Sequence, residues 1–430
     1  MTDNRPSTRT VGLLSVGDEL LAGAHPDLNG PYLAKRLTEW GREVVEVRAV
    51  RDVEADIARA VAEMLSRHGL VITTGGLGPT EDDVTRHGAA MALGQSLDHN
   101  KQAWGQVLAW YQRSDRQPPE SNLRQALVPA GAEVIANPAG TAPGFLARKG
   151  DATLVVLPGP PREVAAVFDA GIAPWLDAHP VAEGVRALRY LHFADLSESV
   201  FADRANEWMG RDQNPLMGVT VKNGVLSVRI LARAAEAATA GARAEERALQ
   251  VIDAFPDKLF SRRFATPAQE LAAQALELGI SFTVAESCTV GRIAAALGAC
   301  PGISSVFNES LVAYSAEAKT ERLGVPPALL ERHGAVSEPV VRAMAEGAAK
   351  RTSARLSIAV SGVAGPGGGS PDKPVGLVWF ATCMDGEVRA VERRWPPADR
   401  ERLQAWATQK ALVLGLTAIR DSAGARKTSN

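Results

Sequence analysis

Apolar positions along this chain recur with two periods, and the order in which those periods alternate predicts its architecture. In the first 180 residues, strand-length apolar runs at 11–16, 43–50, 70–74 and 153–157 are separated by helical patterns at 31–40, 53–66, 82–93 and 161–170. That alternation predicts an α/β fold with a doubly wound parallel sheet, whose ligands collect at the carboxyl ends of the strands. From about residue 186 the texture changes to a strand pattern at 188–193, a helix at 197–208 and two β-rich runs flanking Asn223-Gly224. Asn-Gly predicts a tight hairpin, because a type I′ turn needs positive φ at both central residues. A helical pattern at 234–254 completes a small α+β unit with no reactive constellation, which reads as a structural or dimer-forming spacer.

The next boundary falls just before Thr266-Pro267-Ala268-Gln269. Thr is placed to cap a helix, Pro to occupy its first position and Gln its third, with Gly279 closing it. Strands and helices then alternate to about residue 419, the best buried strands being 356–360 and 375–383. Three domains are expected: 1–180, 181–263 and 264–430.

Composition limits the partners. Lys+Arg 47 against Asp+Glu 49 leaves a net charge of -2 and no basic tract, so direct nucleic-acid binding is not expected. Three cysteines, Cys288, Cys300 and Cys383, are odd in number and lack metal-knuckle spacing, which argues for a reducing compartment. No apolar run approaches a membrane span and the first residues carry no signal-peptide pattern, so a soluble, cytoplasmic protein with no membrane partner is expected.

In the first domain the densest constellation follows a strand: Gly75-Gly76-Leu77-Gly78-Pro79-Thr80, then Glu81-Asp82-Asp83. Glycines let backbone N–H groups approach an anion, and paired aspartates suit a divalent metal that bridges phosphates. A tight turn with an acidic helix start explains the same residues without a ligand. Two further turn-rich loops, one with Gly140 and Thr141, the other with Pro158, Gly159, Pro160 and Glu163, strengthen the case for a phosphate-bearing ligand.

In the last domain an apolar run at 280–284 delivers Glu286, Ser287, Cys288 and Thr289 to a helix start near Gly291. These side chains either cap the helix or floor an active site. A histidine-based triad or a Cys-His pair has only His333 to draw on in this domain. Lysine is the remaining base, since a desolvated lysine has a lowered pKa and can take a serine proton. Tyr314, at the end of a strand pattern, and Lys319, one helical turn on, are candidates to converge on Ser287; an ordinary strand aromatic and a surface lysine are the alternatives.

These motifs resemble the competence/damage-inducible CinA family over nearly the whole chain. The first domain resembles a molybdopterin-binding fold through Gly75 to Thr80 with Asp82 and Asp83, supported by Gly17-Asp18-Glu19-Leu20-Leu21, Asn122, Arg124-Gln125-Ala126 and 157–161 with Glu163. The resemblance implies a metal-dependent ADP-ribose pyrophosphatase there, with Asp82, Asp83 and Glu163 toward Mg or Co, and Gly75, Gly76, Gly78, Thr80, Gly140, Thr141, Pro158, Gly159 and Pro160 toward the nucleotide. The stretch from Ala285 to Gly291 is similar to the Ala-Glu-Ser-Cys-Thr-Gly-Gly motif of a nicotinamide mononucleotide deamidase domain. That similarity implies amide hydrolysis without a cofactor, Ser287 as nucleophile, Tyr314 and Lys319 as its activating pair, and backbone N–H groups of Cys288 and Thr289 opening the helix as oxyanion donors. It further implies substrate contacts from Glu286, Cys288, Thr289, Gly365, Gly367, Gly368 and Arg400, and a homodimer. The glycine-rich segment 361–376 is then expected to line the nucleotide pocket, a flexible connection between strands being the alternative. The sequence departs from the family pattern at Leu28, Gly30, Val290, Glu309, Ser310, Ala316 and Gln404.

Overall fold

A computed structural model describes residues 7–181 and 185–428. The chain divides into two compact units, Met1–Ala187 with Arg233–Ala240, and Leu188–Ala232 with Gly241–Asn430. In the first, six strands order as Glu43–Val50, Ser7–Val16, His68–Thr74, Ala152–Leu157, Gly144–Lys149 and Glu133–Ile135. The first four run parallel, as expected, and the last two pair antiparallel, so the sheet is mixed. Successive side chains point to opposite faces: Val11 and Leu13 enter one core with Leu70 and Ile72, whereas Leu14 and Val16 enter another with Val71. Both faces are therefore covered, which is why the strands read as continuous apolar runs.

A four-stranded sheet, most of whose residues belong to the second unit, orders Leu216–Lys222, Val225–Ala234, Val185–Ala194 and Leu259–Ser261. Asn223 at φ 51° and Gly224 at φ 79° make the expected tight hairpin. The helix Pro267–Leu278 starts where expected: Thr266 Oγ1 accepts the Gln269 N–H, and Gly279 closes the helix at φ 59°.

The site-bearing sheet orders Phe307–Val312, Phe282–Glu286, Leu356–Gly362, Leu377–Met384 and Glu387–Arg394. Its first three strands are parallel and the rest antiparallel. Phe282, Val284, Leu356, Ile358 and Val360 fill the core on one face, where the long helix Arg400–Thr428 also packs through Ala411, Leu412 and Leu416. Each such aliphatic side chain removed from water stabilises by about 1.5–3 kcal/mol. The strand expected at 280–284 runs two residues further, so the fully buried Glu286 is the last residue of an interior strand rather than part of the following loop.

Candidate active site

The helix after this strand begins at Arg292 with Gly291 as its N-cap, where the sequence pattern placed its start, so Ser287, Cys288 and Thr289 occupy the connecting turn. Glu286 explains the turn. Its carboxylate accepts N–H groups from Gly291 at 3.0 Å, Ile293 at 3.1 Å and Ala294 at 2.9 Å, together with the Thr289 hydroxyl at 2.7 Å. A buried carboxylate is tolerated only when so satisfied, and here it meets the positive end of a helix. Both of its oxygens are thereby committed, which corrects its assignment to substrate. Thr289 is likewise a fully buried capping partner through its hydroxyl.

With Glu286 holding the helix, Ser287 is left at the strand end. Its N–H donates to Val360 O, and its hydroxyl lies 3.0 Å from Lys319 Nζ. Lys319 arrives from the helix Ala316–Leu323, which Ser315 caps by accepting the Ala318 N–H. Lys319 and Leu323, four residues apart, form the buried side of that helix. The amine also donates to Ala313 O and Tyr314 O, each at 2.9 Å, and no carboxylate lies within ion-pair distance of it among the described residues. Burial pushes its pKa below the ordinary lysine value. The amine thus meets three oxygens, two backbone carbonyls and the Ser287 hydroxyl, and once it has lost a proton its lone pair can take the one on the serine.

Cys288 packs in the core, where burial pushes its thiol up to about 12 and keeps it protonated. Its side chain is therefore an inert filler. The N–H groups of Cys288 and Thr289 donate to no acceptor among the described residues, although they lie before the helix rather than opening it.

Tyr314 is placed differently from expectation. It lies just beyond the strand, 57% exposed, and its hydroxyl accepts from Arg400 Nη2 at 3.2 Å instead of meeting Ser287. Only its backbone carbonyl touches Lys319, which corrects the idea of a phenol–amine pair acting directly on the serine. Arg400 also donates to Gly365 O at 2.8 Å, so one end of the glycine-rich segment is tied to the mouth of the site. Gly367 and Gly368 stand in open space beyond that tether.

Gln404 carries a positioning role that sequence reasoning noted only as a departure. Its Nε2 donates to Cys288 O at 2.8 Å and its Oε1 accepts from Arg292 Nε at 3.2 Å, holding the turn that carries Ser287. The carbonyls of Ala313 and Tyr314 had no signal in the sequence, since every residue has one.

The first unit holds a cavity of about 430 Å³ at the carboxyl ends of its parallel strands, lined by Gly75, Gly76, Asp82, Asp83 and Gly159, with Asp27 and Asp52. Gly75 is required: at φ 100° an added Cβ would lie 2.2 Å from Val16 O. Asp83 is consumed locally, accepting from the N–H groups of Gly78 at 2.7 Å and Thr80 at 2.8 Å and from the Thr80 hydroxyl. It therefore stands in the turn, and the helix predicted from residue 82 starts at Thr85. The loop is further held by buried Arg86, which donates to Leu77 O and whose pKa is brought down to about 10 by burial. An arginine in the first turn of a helix, where the dipole disfavours it, was the available signal.

The expected metal trio does not assemble. Glu163 accepts from Asn137 Nδ2 at 2.7 Å, beside Gly140, and burial raises its pKa. Neither it nor Gly140 and Thr141 lines the cavity, and Thr141 instead accepts from Gln125. Gly78, Thr80, Pro158 and Pro160 also lie off the lining, shaping the two loops. Among the described residues no group of three or more His, Cys, Asp or Glu is arranged to hold a metal. These residues do not fit the implied Mg or Co.

Comparison with known proteins matches residues 265–418 to the CinA C-terminal domain, 12–178 to a probable molybdopterin binding domain and 188–261 to the damage-inducible protein CinA KH domain. A protein named as competence-damage inducible in Symbiobacterium thermophilum is 38% identical over 412 residues, covering 94% of this chain and 97% of its own. The chain belongs to the CinA family. A CinA-like protein of Parasynechococcus marenigrum is 39% identical, with 94% of this chain and 96% of its own covered. The crystal structure of competence/damage inducible protein CihA from Agrobacterium tumefaciens is 39% identical, covering 37% of this chain and 99% of its own, with a TM-score of 0.35.

The CinA departures now have locations. Val290 has φ 51°, a left-handed conformation that a β-branched residue adopts only under strain, and its side chain is 49% exposed at the turn. Glu309 pairs with Arg351 on the surface, Ala316 opens the Lys319 helix, and Ser310 Oγ is buried without a partner among the described residues. In the first unit, Leu28 and Gly30 flank Asn29, whose Nδ2 donates to Gly159 O. No helix of the described residues is long and apolar enough to cross a membrane.

Proposed function

We propose that the C-terminal domain is a serine amidohydrolase that converts nicotinamide mononucleotide to nicotinate mononucleotide and ammonia. The observation carrying this reading is the fully buried Lys319 amine, 3.0 Å from Ser287 Oγ and without a carboxylate partner. Neutral Lys319 takes the hydroxyl proton as Ser287 Oγ bonds to the carboxamide carbon. The tetrahedral oxyanion is met by the free N–H groups of Cys288 and Thr289, a contribution of roughly 3–4 kcal/mol per donor. Lys319 returns its proton to the departing nitrogen, the C–N bond breaks and ammonia leaves. Water then attacks the acyl-serine, giving its proton to Lys319, and the ester bond breaks to free the acid and Ser287. Arg400, at the mouth with Tyr314, is the cation available to the substrate phosphate. Incubating the full-length parent and Ser287→Ala with nicotinamide mononucleotide, and measuring both products, tests this. Products from the parent alone support the assignment, and turnover by the variant rejects it.

For the first unit the committed oxygens of Asp83 and the isolation of Glu163 favour a nucleotide- or pterin-binding pocket over ADP-ribose hydrolysis. ADP-ribose incubated with Mg or Co is expected to release no AMP; metal-dependent release would restore the pyrophosphatase reading.

A further inference from the structure

A cleft of about 1070 Å³ opens in the C-terminal unit between the Asn223-Gly224 hairpin and the start of the helix Arg400–Thr428. Ser287, Lys319, Tyr314 and Arg400 do not line it. Its volume is at the upper end of small-molecule sites, which run to roughly 1,000 Å³.

Three features of its wall define a ligand. The indoles of Trp395 and Trp406 lie 6.1 Å apart, tilted by 38°, and both face the cleft lining. Positive charge exceeds negative charge once the internal pairs are set aside. Lys410 is neutralised by Asp195 and Glu401 lies 3.8 Å from Arg292, whereas Asp399 accepts the backbone N–H of Arg402 and keeps its negative charge, which the remaining cations outnumber. Lys222, Lys258 and Arg402 remain without an ion-pair partner among the described residues, Arg402 lying over the Trp406 ring at 4.9 Å. Finally, Gln409 lines the cleft with a buried side-chain oxygen that no donor among the described residues reaches.

We propose that this cleft binds a second ligand of the mononucleotide class: an aromatic base against the indoles, a phosphate among Lys222, Lys258 and Arg402, and a donor for Gln409. Stacking on aromatic faces and charge-assisted hydrogen bonds to phosphate are the two interactions this wall supplies. The proposal is independent of the amidase reading, because it uses no residue of the Ser287 site.

Calorimetric titration of the full chain with AMP, with adenosine and inorganic phosphate as separate probes, tests it. AMP is expected to bind at least about tenfold more tightly than either fragment, since only AMP engages both walls. Trp406→Ala removes the stacking wall, and the doubly exposed Lys222→Glu/Arg402→Glu variant reverses the charge without touching the core; each is expected to weaken AMP at least about tenfold. Absence of AMP binding, or AMP affinity unchanged in the charge variant, overturns the proposal.

Discussion

The turn after Phe282–Glu286 and the turn after His68–Thr74 are built from similar parts: a buried parallel strand, a tight polar turn and a helix with a carboxylate before it. They spend the carboxylate differently. Glu286 reaches forward to the helix amides and leaves Ser287 beside Lys319, whereas Asp83 folds back onto Gly78 and Thr80 and stabilises its own loop. The first arrangement leaves the Ser287 hydroxyl facing a buried amine that is held by two backbone carbonyls. The second leaves a cradle of backbone with an acidic rim.

The sharpest way to break this contrast is Lys319→Met. Loss of a general base is expected to lower nicotinamide mononucleotide turnover about 10²–10⁴-fold, read as ammonia release. Unimpaired release would put the lysine outside the reaction. Next, Glu286→Gln removes charge from four donors in a buried site and is expected to cost on the order of 3 kcal/mol in denaturant unfolding of the C-terminal unit. Asp83→Asn, at a more exposed turn, is expected to cost about 1 kcal/mol, and equal losses would erase the distinction between the two carboxylates.

The pH dependence sharpens it further. Because burial lowers its pKa, folded Lys319 sheds its proton below the ordinary value of 10.5. Turnover should therefore rise with pH through the lowered value. The stability it contributes is full above about 10.5 and declines as pH falls through the folded pKa, since there the unfolded chain binds the proton more readily. Unfolding of the parent and Lys319→Met across alkaline pH should differ in that direction, and parallel curves would show that the amine is not desolvated. The smallest effect is Val290→Gly: relief of the left-handed backbone is expected to stabilise by roughly 1 kcal/mol, less the entropy that glycine loses on folding, detectable as a raised Tm.

Local rules located much of the fold. The Asn223-Gly224 hairpin, the Thr266 cap and the Gly279 terminus depend on dihedral and hydrogen-bond preferences of a few adjacent residues, so they were legible. The strand at 43–50 was legible to its ends because its apolar pattern is bounded by turn residues. The antiparallel edge of the first sheet was not, because strand direction follows from pairing between segments far apart in sequence.

By itself the sequence determined the parallel strands, the Asn223-Gly224 hairpin, the capped helix after Thr266 and which polar residues gather after the strands, because those depend on short-range periodicity and backbone conformation. It did not place the helix Lys101–Gln112 or the edge strands Glu133–Ile135 and Gly144–Lys149. Family likeness singled out Ser287, Tyr314 and Lys319. Only the tertiary structure decided which functional groups they present: the amine of Lys319 turns inward to Ser287, the phenol of Tyr314 turns outward to Arg400, and Glu286 is spent on the helix. It also kept Glu163 apart from Asp82 and Asp83. The reason is physical. Desolvation and hydrogen-bond satisfaction are properties of the packed interior, and residues 32 positions apart, such as Ser287 and Lys319, acquire them together only when two strands and a helix close around them.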